Sequence, residues 1–388
     1  MAPANAPRLG VYCDFSYRMT SDSVSAELPF SRFVEGLAPH YQRLVVLGRL
    51  DPTPGPFPYR LRAAEFVALP YYASGADLAA VMRTVPSALR RFWRALDELD
   101  IVWILGPNPP QALLFAIVGI MRRRKVVLGV RQNLPELIRH RRPGNRPVLW
   151  TAYLLEWAFR ALARFVPVVV VGPDLAHRYR GASSMLNVYV SLMQESDLLA
   201  KRDDHRRYDS DELVMLSVGR LDPEKNPLLL ADVLCRALGA DSRWRLEVCG
   251  DGPLSGALTQ RAEQIGVADR LVQSGHVPID DGLWERYRAA HALIHVSMTE
   301  GVPQVILEAF AARLPVVATD VGGVGHLVSG RGLLVRPRDA AAAAAGLARL
   351  AGDSELRERL VESAQEAAAD HTLRAECARL ARFLSGDS

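Results

Sequence analysis

The chain has 388 residues, beyond the ~250 to 300 at which a single hydrophobic core stops growing, so two domains of roughly 190 residues are expected. Hydrophobic residues make up 49% and charged residues 23%, a globular balance that excludes disorder, collagen and coiled coil. The net charge is only +4, yet residues 1–190 carry 24 basic and 13 acidic side chains (+11), whereas residues 191–388 carry 23 and 30 (−7).

The N-terminal half alternates apolar runs with amphipathic stretches. RLGVYCDF (8–15) reads as a strand, Ser21 to about Pro39 as helix-like, and RLVVLG (43–48) and EFVAL (65–69) as strands before a long helix from Asp77 to Leu99. DIVWIL (100–105), a helix from Gln111 to Met121, KVVLGV (125–130), a helix from about Pro147 to Phe165, PVVVV (167–171) and NVYVS (187–191) continue the rhythm. Near-continuous Val, Ile and Leu strands separated by helices indicate a parallel sheet covered on both faces. The longest apolar stretch, residues 101–121, is broken by Gly106, Pro107, Pro109 and Pro110 and is no spanning helix. The start MAPANAPRLGVY lacks the pattern of a signal peptide, and Cys13, Cys235, Cys249 and Cys377 lack metal or disulfide spacing, so a cytoplasmic protein is expected.

The basic excess concentrates between Arg122 and Arg142, where eight cations face one acid, Glu136. Such a cluster is either a solvated surface or one that attracts phosphates, anionic headgroups or acidic substrates. Peripheral contact with the inner face of the membrane through this half is therefore an expectation; nucleic acid is not an expected partner.

Residues 192–212 are polar and charge-dense without periodicity, as suits an interdomain linker. A second alternation follows: ELVMLSVG (212–219), a helix from Pro227, RLEVCG (245–250), a helix from Leu254, RLVQSG (270–275), a helix from Asp281, HALIHVS (291–297), a helix from Pro303, PVVAT (315–319) and RGLLVRP (331–337). The fold class is α/β, with two Rossmann-like domains in tandem, over residues 1–191 and 192–370.

Ligands of open parallel sheets bind beyond the carboxyl ends of strands, so the residues after each apolar run carry the chemistry. In SVGRLDPEKNP, Arg220 and Lys225 lie on a strand-to-helix loop and suit a diphosphate. The chain holds 44 Arg and only three Lys, so a lysine here points to a need for the compact ammonium. CGDGPLSG places Gly250, Gly252 and Gly256 after a strand, but the spacing and Pro253 make it a poor dinucleotide fingerprint. In HVSMTEGVPQVILEAF, Gly301 permits close backbone approach and Pro303 opens a helix whose free N–H groups suit an anion. Glu300 stands before that helix and Glu308 about five residues inside it, roughly 7.5 Å along the axis. That offset suits a nucleoside diphosphate sugar. Asp209-Ser210-Asp211 mimics a metal-binding D-x-D but follows no strand, so no metal site is assigned to it.

With these loops in order, GRLDPEK, CGDGP, SGHVP, EGVPQVILEA and PVVATDVGG, the chain resembles glycosyltransferase family 4, retaining nucleotide-sugar enzymes of the GT-B fold, most strongly over residues 213–337. The resemblance implies a GT-B architecture with two Rossmann-like domains facing across a cleft, acceptor site in the first and donor site in the second. It also implies that a C-terminal helix, within 371–388, packs back on the first domain. It further implies that Arg220 and Lys225 hold the donor diphosphate, with Gly250 and Gly252 in the adjoining turn. Glu308 would take the ribose hydroxyls and Glu300 those of the transferred sugar. Main chain near Val277 would meet the base, and backbone of Gly301, Val302, Pro303 and Gln304 would complete the phosphate cradle. No cofactor and no divalent metal is then required; the nucleotide sugar is a co-substrate, with UDP favoured over GDP.

The first half departs from the family pattern. DFSYRMTSDSVS (14–25) has no glycine where the group often carries a glycine-rich loop, and Arg131 stands where many members carry a histidine. Arg131 cannot serve as a base at ordinary pH; it suits a departing phosphate or an anionic acceptor. Gly325 and His326 replace the usual P-E after the glycines. The acceptor is expected to be anionic, lipid-linked or a natural-product aglycone. The alternatives are a GT-B-fold epimerase or phosphorylase acting on sugar phosphates, and an inactive nucleotide-binding scaffold.

Overall fold

A computed structural model describes residues 6–21, 23–75, 77–141, 144–198 and 206–386. The chain divides into two compact units, one formed by Met1–Leu192 with Leu373–Ser388 and the other by Met193–Thr372. Residues 199–205 of the stretch read as a linker, and Arg142 of the basic cluster, lie outside the described residues.

The first unit runs β1 (Arg8–Met19), β2 (Val24–Ala26), α1 (Phe30–Glu35), β3 (Arg43–Leu50), β4 (Tyr59–Arg60), β5 (Glu65–Leu69), α2 (Leu78–Ala95), β6 (Ile101–Gly106) and α3 (Gln111–Met121). It continues with β7 (Lys125–Val130), α4 (Leu134–Arg141), α5 (Arg146–Leu162), β8 (Val168–Val171), α6 (Pro173–Arg178) and β9 (Met185–Val188). Strands β5, β3, β1, β6, β7, β8 and β9 lie side by side and parallel. All four valines of β8 are buried, which is why the central strands read as unbroken apolar runs.

The region before residue 40 differs from the expected helix. β1 continues to Met19 and the chain returns antiparallel as β2, with Tyr17 opposite Ala26 and Met19 opposite Val24; only Phe30–Glu35 is α-helical. The buried Tyr17 ring fixes this extension: it lies over Gly48, where a Cβ would come within 2.2 Å of it. Helices α4 and α6 were not expected, and β9 begins two residues earlier than NVYVS.

The second unit runs β10 (Leu213–Val218), α7 (Leu228–Ala240), β11 (Trp244–Cys249), α8 (Ser255–Gln264), β12 (Leu271–Gly275), α9 (Trp284–Ala289), β13 (Ala292–His295), α10 (Gln304–Ala311), β14 (Val316–Thr319), α11 (Val324–Val328), β15 (Leu333–Val335), α12 (Ala340–Gly352) and α13 (Ser354–Ala369). The six strands are parallel in the order β12-β11-β10-β13-β14-β15. This is a Rossmann-like order, and the chain reverses its direction of travel across the sheet between β10 and β13. Loops leaving these two strands diverge there and open a crevice at the carboxyl ends.

Several boundaries differ from the sequence reading, and three of them bear on the crevice. The helix expected from Asp281 begins at Trp284, because Asp281 and Gly282 (φ +95°) leave the helical region. β13 ends at His295, since the chain beyond it bonds elsewhere: the Thr319 hydroxyl donates to the Ser297 carbonyl at 2.7 Å and the Met298 N–H donates to the Glu224 carbonyl at 2.8 Å. Pro303 is the extended N-cap of α10 (ψ 124°), and Gln304 is the first helical residue.

The C-terminal helix α14 (Leu373–Ser385) belongs to the first unit. Arg379 donates to the Asn187 carbonyl at 3.2 Å, the Tyr189 N–H donates to Glu376 at 3.3 Å, and the Tyr41 hydroxyl donates to the Ala381 carbonyl at 3.3 Å. Among the described residues, no helix is long and apolar enough to cross a membrane.

Candidate functional site

The crevice of the second unit is built on backbone-to-backbone contact. Past β10 and β11 the ladder continues through Gly219 N–H to the Cys249 carbonyl at 3.0 Å and Leu221 N–H to the Asp251 carbonyl at 2.9 Å. A Cβ on Gly250 would lie 1.9 Å from the Gly219 oxygen, and one on Gly252 would lie 2.7 Å from the Leu221 backbone. These glycines let the GDGP turn lie against the GRL turn. A second close approach joins the later loops, where a Cβ on Gly323 would lie 2.1 Å from the Gly301 oxygen.

Lys225 and Glu300, 75 residues apart in sequence, meet at the switch point as an ion pair between Nζ and Oε1. The same oxygen accepts from the Ser297 hydroxyl at 2.8 Å and lies 3.1 Å from His295 Nε2. The Glu300 side chain is only 10% exposed. Burial works to raise its pKa, but the Lys225 ammonium and then His295 outweigh it and hold the carboxyl well below the ordinary range. Glu300 is thus a fixed anion.

Glu308 is its opposite. It lies on α10 among Ile306, Leu307, Ala309 and Phe310, all buried, and takes a hydrogen bond from the Tyr287 hydroxyl of α9 at 2.7 Å. Burial pushes its carboxyl up to about 7, with Tyr287 pulling the other way and Asp197 adding slightly to the rise. Two carboxylates on one loop-helix segment are therefore shifted in opposite directions, because Glu300 has the Lys225 ammonium beside it, whereas Glu308 is buried with no cation to offset the cost.

Arg220 is half exposed and paired with Asp222, with Glu224 at 3.5 Å. Arg220 and Lys225 share the loop after β10, and Lys225 reaches Glu300 on the segment that leads through Gly301, Val302 and Pro303 to Gln304, the first residue of α10. Two cations and a helix N-terminus are the groups that hold a pyrophosphate. Val277 is half-buried and follows Gly275 (φ +67°), where the chain turns and the His276 N–H donates to Asp251 at 2.9 Å.

Of the residues singled out from the sequence, all but Arg131 belong to the second unit. Arg131 follows β7 in the first unit, with its guanidinium 3.9 Å from the Phe30 ring centre and 5.6 Å from that of Phe15; burial lowers its pKa to about 10. Sequence reasoning did not find His295, Ser297 or Tyr287. Polar residues at the end of the apolar run HALIHVS were the available signal for the first two; Tyr287 sits on a short helix with no motif.

Residues 200–367 match the family model described as glycosyl transferases group 1. D-inositol 3-phosphate glycosyltransferase of Geodermatophilus obscurus is 38% identical over 159 residues, 38% of this chain and 35% of that protein, so the match spans about a third of the relative's length. Similarity of fold extends over nearly the whole chain. A sucrose-phosphate synthase from Thermosynechococcus elongatus superposes with a TM-score of 0.73 at 17% identity, covering 98% of this chain and 100% of that one. HepE of Anabaena, solved in complex with UDP and glucose, superposes with a TM-score of 0.69 at 18% identity, covering 98% and 99%. The fold is the GT-B architecture.

Proposed function

We propose that this chain, of GT-B fold and with a group 1 glycosyl transferase match over residues 200–367, transfers a sugar from a nucleoside diphosphate sugar to an acceptor hydroxyl with retention of configuration. The observation that carries the reading is the meeting of Lys225 and Glu300 at the switch point, beside the mouth of α10. The second unit binds the donor and the first the acceptor, in the cytoplasm. UDP is the preferred nucleotide, following the ligand named for HepE.

Arg220, Lys225 and the N–H groups at the start of α10 neutralise the leaving diphosphate, the term that dominates when a nucleotide leaves an anomeric carbon. A divalent metal has no role in this reading. With Oε1 of Glu300 taken by protein donors, Oε2 accepts from the sugar hydroxyls and fixes the ring. Glu308 accepts from the ribose. The bond from the anomeric carbon to phosphate breaks and the acceptor oxygen attacks from the same face; its proton passes to the departing phosphate oxygen, so no protein base is needed. Arg131, held against two aromatic rings in the first unit, supplies a cation for an anionic or lipid-linked acceptor.

The test is incubation with UDP-, GDP-, ADP- and dTDP-sugars, an acceptor panel and a chelator, with products read by NMR. The expected result is one donor consumed, unchanged anomeric configuration and no loss of rate on chelation. Inverted product, or activity restored only by divalent ions, overturns the mechanism; epimerised or phosphorolysed sugar overturns the reaction class.

A further inference from the structure

Helix α5 carries a stripe that the fold of the first unit leaves uncovered. Trp150, Leu154 and Trp157 are 74%, 63% and 67% exposed, while Ala152, Leu155, Glu156 and Phe159 of the same helix are buried. The exposed three recur at i, i+4 and i+7, so they form one line of about 10.5 Å along the helix axis. Phe165, just past the helix, and Met121, at the end of the adjacent α3, are likewise exposed. Soluble surfaces rarely leave large apolar side chains grouped in this way.

The charge around the stripe is one-sided. Between residues 117 and 165 there are eleven Arg and Lys against two acids, and both acids are withdrawn: Glu156 is buried, and Glu136 accepts from Asn133 at 2.8 Å. Arg146, Arg160 and Arg164 are exposed on or just beyond α5. A groove of about 710 Å³ runs beside the stripe, walled by Trp150, Tyr153 and Trp157 with Arg146 and Arg160 at its margin. Indole rings in a line parallel to a helix axis, flanked by guanidinium groups, match a lipid interface: the rings suit the headgroup layer and the cations suit lipid phosphate.

We propose that the α3–α5 face of the first unit docks on an anionic lipid bilayer, with Trp150, Leu154 and Trp157 entering the headgroup layer and Arg146, Arg160 and Arg164 pairing with lipid phosphates. This goes beyond the donor reading and does not require it, since no residue of the second unit takes part.

The experiment is flotation of the full chain with phosphatidylcholine vesicles, with and without phosphatidylglycerol, alongside calorimetric titration of UDP. The chain is expected to float with the anionic vesicles only and to be released by salt. Trp150→Ser/Trp157→Ser and Arg146→Gln/Arg160→Gln/Arg164→Gln should each lower partitioning by at least about tenfold while leaving UDP binding and the thermal melt unchanged. If a variant misfolds, quenching of wild-type tryptophan fluorescence by brominated phosphatidylglycerol decides instead, quenching being the supporting result. Absence of flotation and quenching overturns the proposal, as does equal binding to neutral vesicles. So does self-association abolished by the tryptophan substitutions in a chain that ignores vesicles, because the face then joins two copies. Loss of UDP binding in the wild type removes the donor reading and leaves this one standing.

Discussion

Lys225→Ala is expected to lower kcat/KM by about a thousandfold, the largest single effect at this site. Two losses combine. The diphosphate loses a compact cation, and Glu300, 10% exposed, loses its lysine partner and keeps only Ser297 and His295 beside it. Removing one partner of a buried pair costs about 3–5 kcal/mol. Glu300 then relieves the strain by taking a proton, and a protonated carboxyl no longer accepts from the sugar hydroxyls. Lys225→Arg should restore little, because a planar guanidinium does not fill the place of an ammonium bonded to one oxygen. In Lys225→Ala/Glu300→Gln the unpaired charge is gone, so the double variant should be less impaired than the sum of the single ones. Steady-state kinetics on wild type, Lys225→Ala, Lys225→Arg, Glu300→Gln and the double variant checks this; turnover of Lys225→Ala within threefold of wild type contradicts it.

Glu308 should act on affinity instead of turnover, with a pH dependence that identifies it. Ribose hydroxyls donate to the charged carboxylate, and burial has raised this carboxyl to about 7. Affinity for a nucleotide sugar should therefore rise as pH increases from 6 to 8 and level off above; Glu308→Gln should bind more weakly at pH 8 and show a flat profile. A nucleotide sugar is the proper probe, since its diphosphate has no second ionisation in that range. Stability runs the other way. The folded state holds its proton up to about 7 while the unfolded chain releases it near the ordinary glutamate value, so ionisation destabilises the fold progressively between those values. The loss is on the order of 3 kcal/mol above pH 7. Glu308→Gln should thus melt higher than wild type at pH 8 and alike at pH 5. By contrast, Glu300→Ala is expected to impair turnover more than nucleotide affinity. Equal, wild-type-like behaviour of both glutamate variants would reject their assignment.

Sequence periodicity located the strands of the second unit because the inner ones, β10, β11, β13 and β14, are mostly buried and read as apolar runs, while the edge strands β12 and β15 are half-buried. Gly219, Gly250 and Gly275 punctuate β10, β11 and β12 closely enough that the crevice loops are legible in the sequence. The same logic missed the β1–β2 return, because SYRMTSDSVSAELPF mixes polar and apolar residues and its extended form depends on Tyr17 packing over Gly48. Helix α4 escaped because its composition is dominated by charge, not by a 3.6-residue apolar period. In the site, residue types and loop positions are local information, so Arg220, Lys225, Glu300 and Glu308 were open to selection from the sequence. Their electrostatic states were not: the contrast between Glu300 and Glu308 comes from the approach of Lys225 and His295 to the first and the burial of the second, both products of tertiary packing.

The pyrophosphate grip is tested most directly by calorimetric titration of the full chain with UDP, GDP, ADP and dTDP, repeated on Arg220→Ala/Lys225→Ala. UDP is expected to bind the wild type and to lose at least about a hundredfold in affinity on removal of the two cations. Absence of heat from all four nucleotides, or undiminished UDP affinity in the double variant, would contradict a phosphate site formed by Arg220, Lys225 and the start of α10.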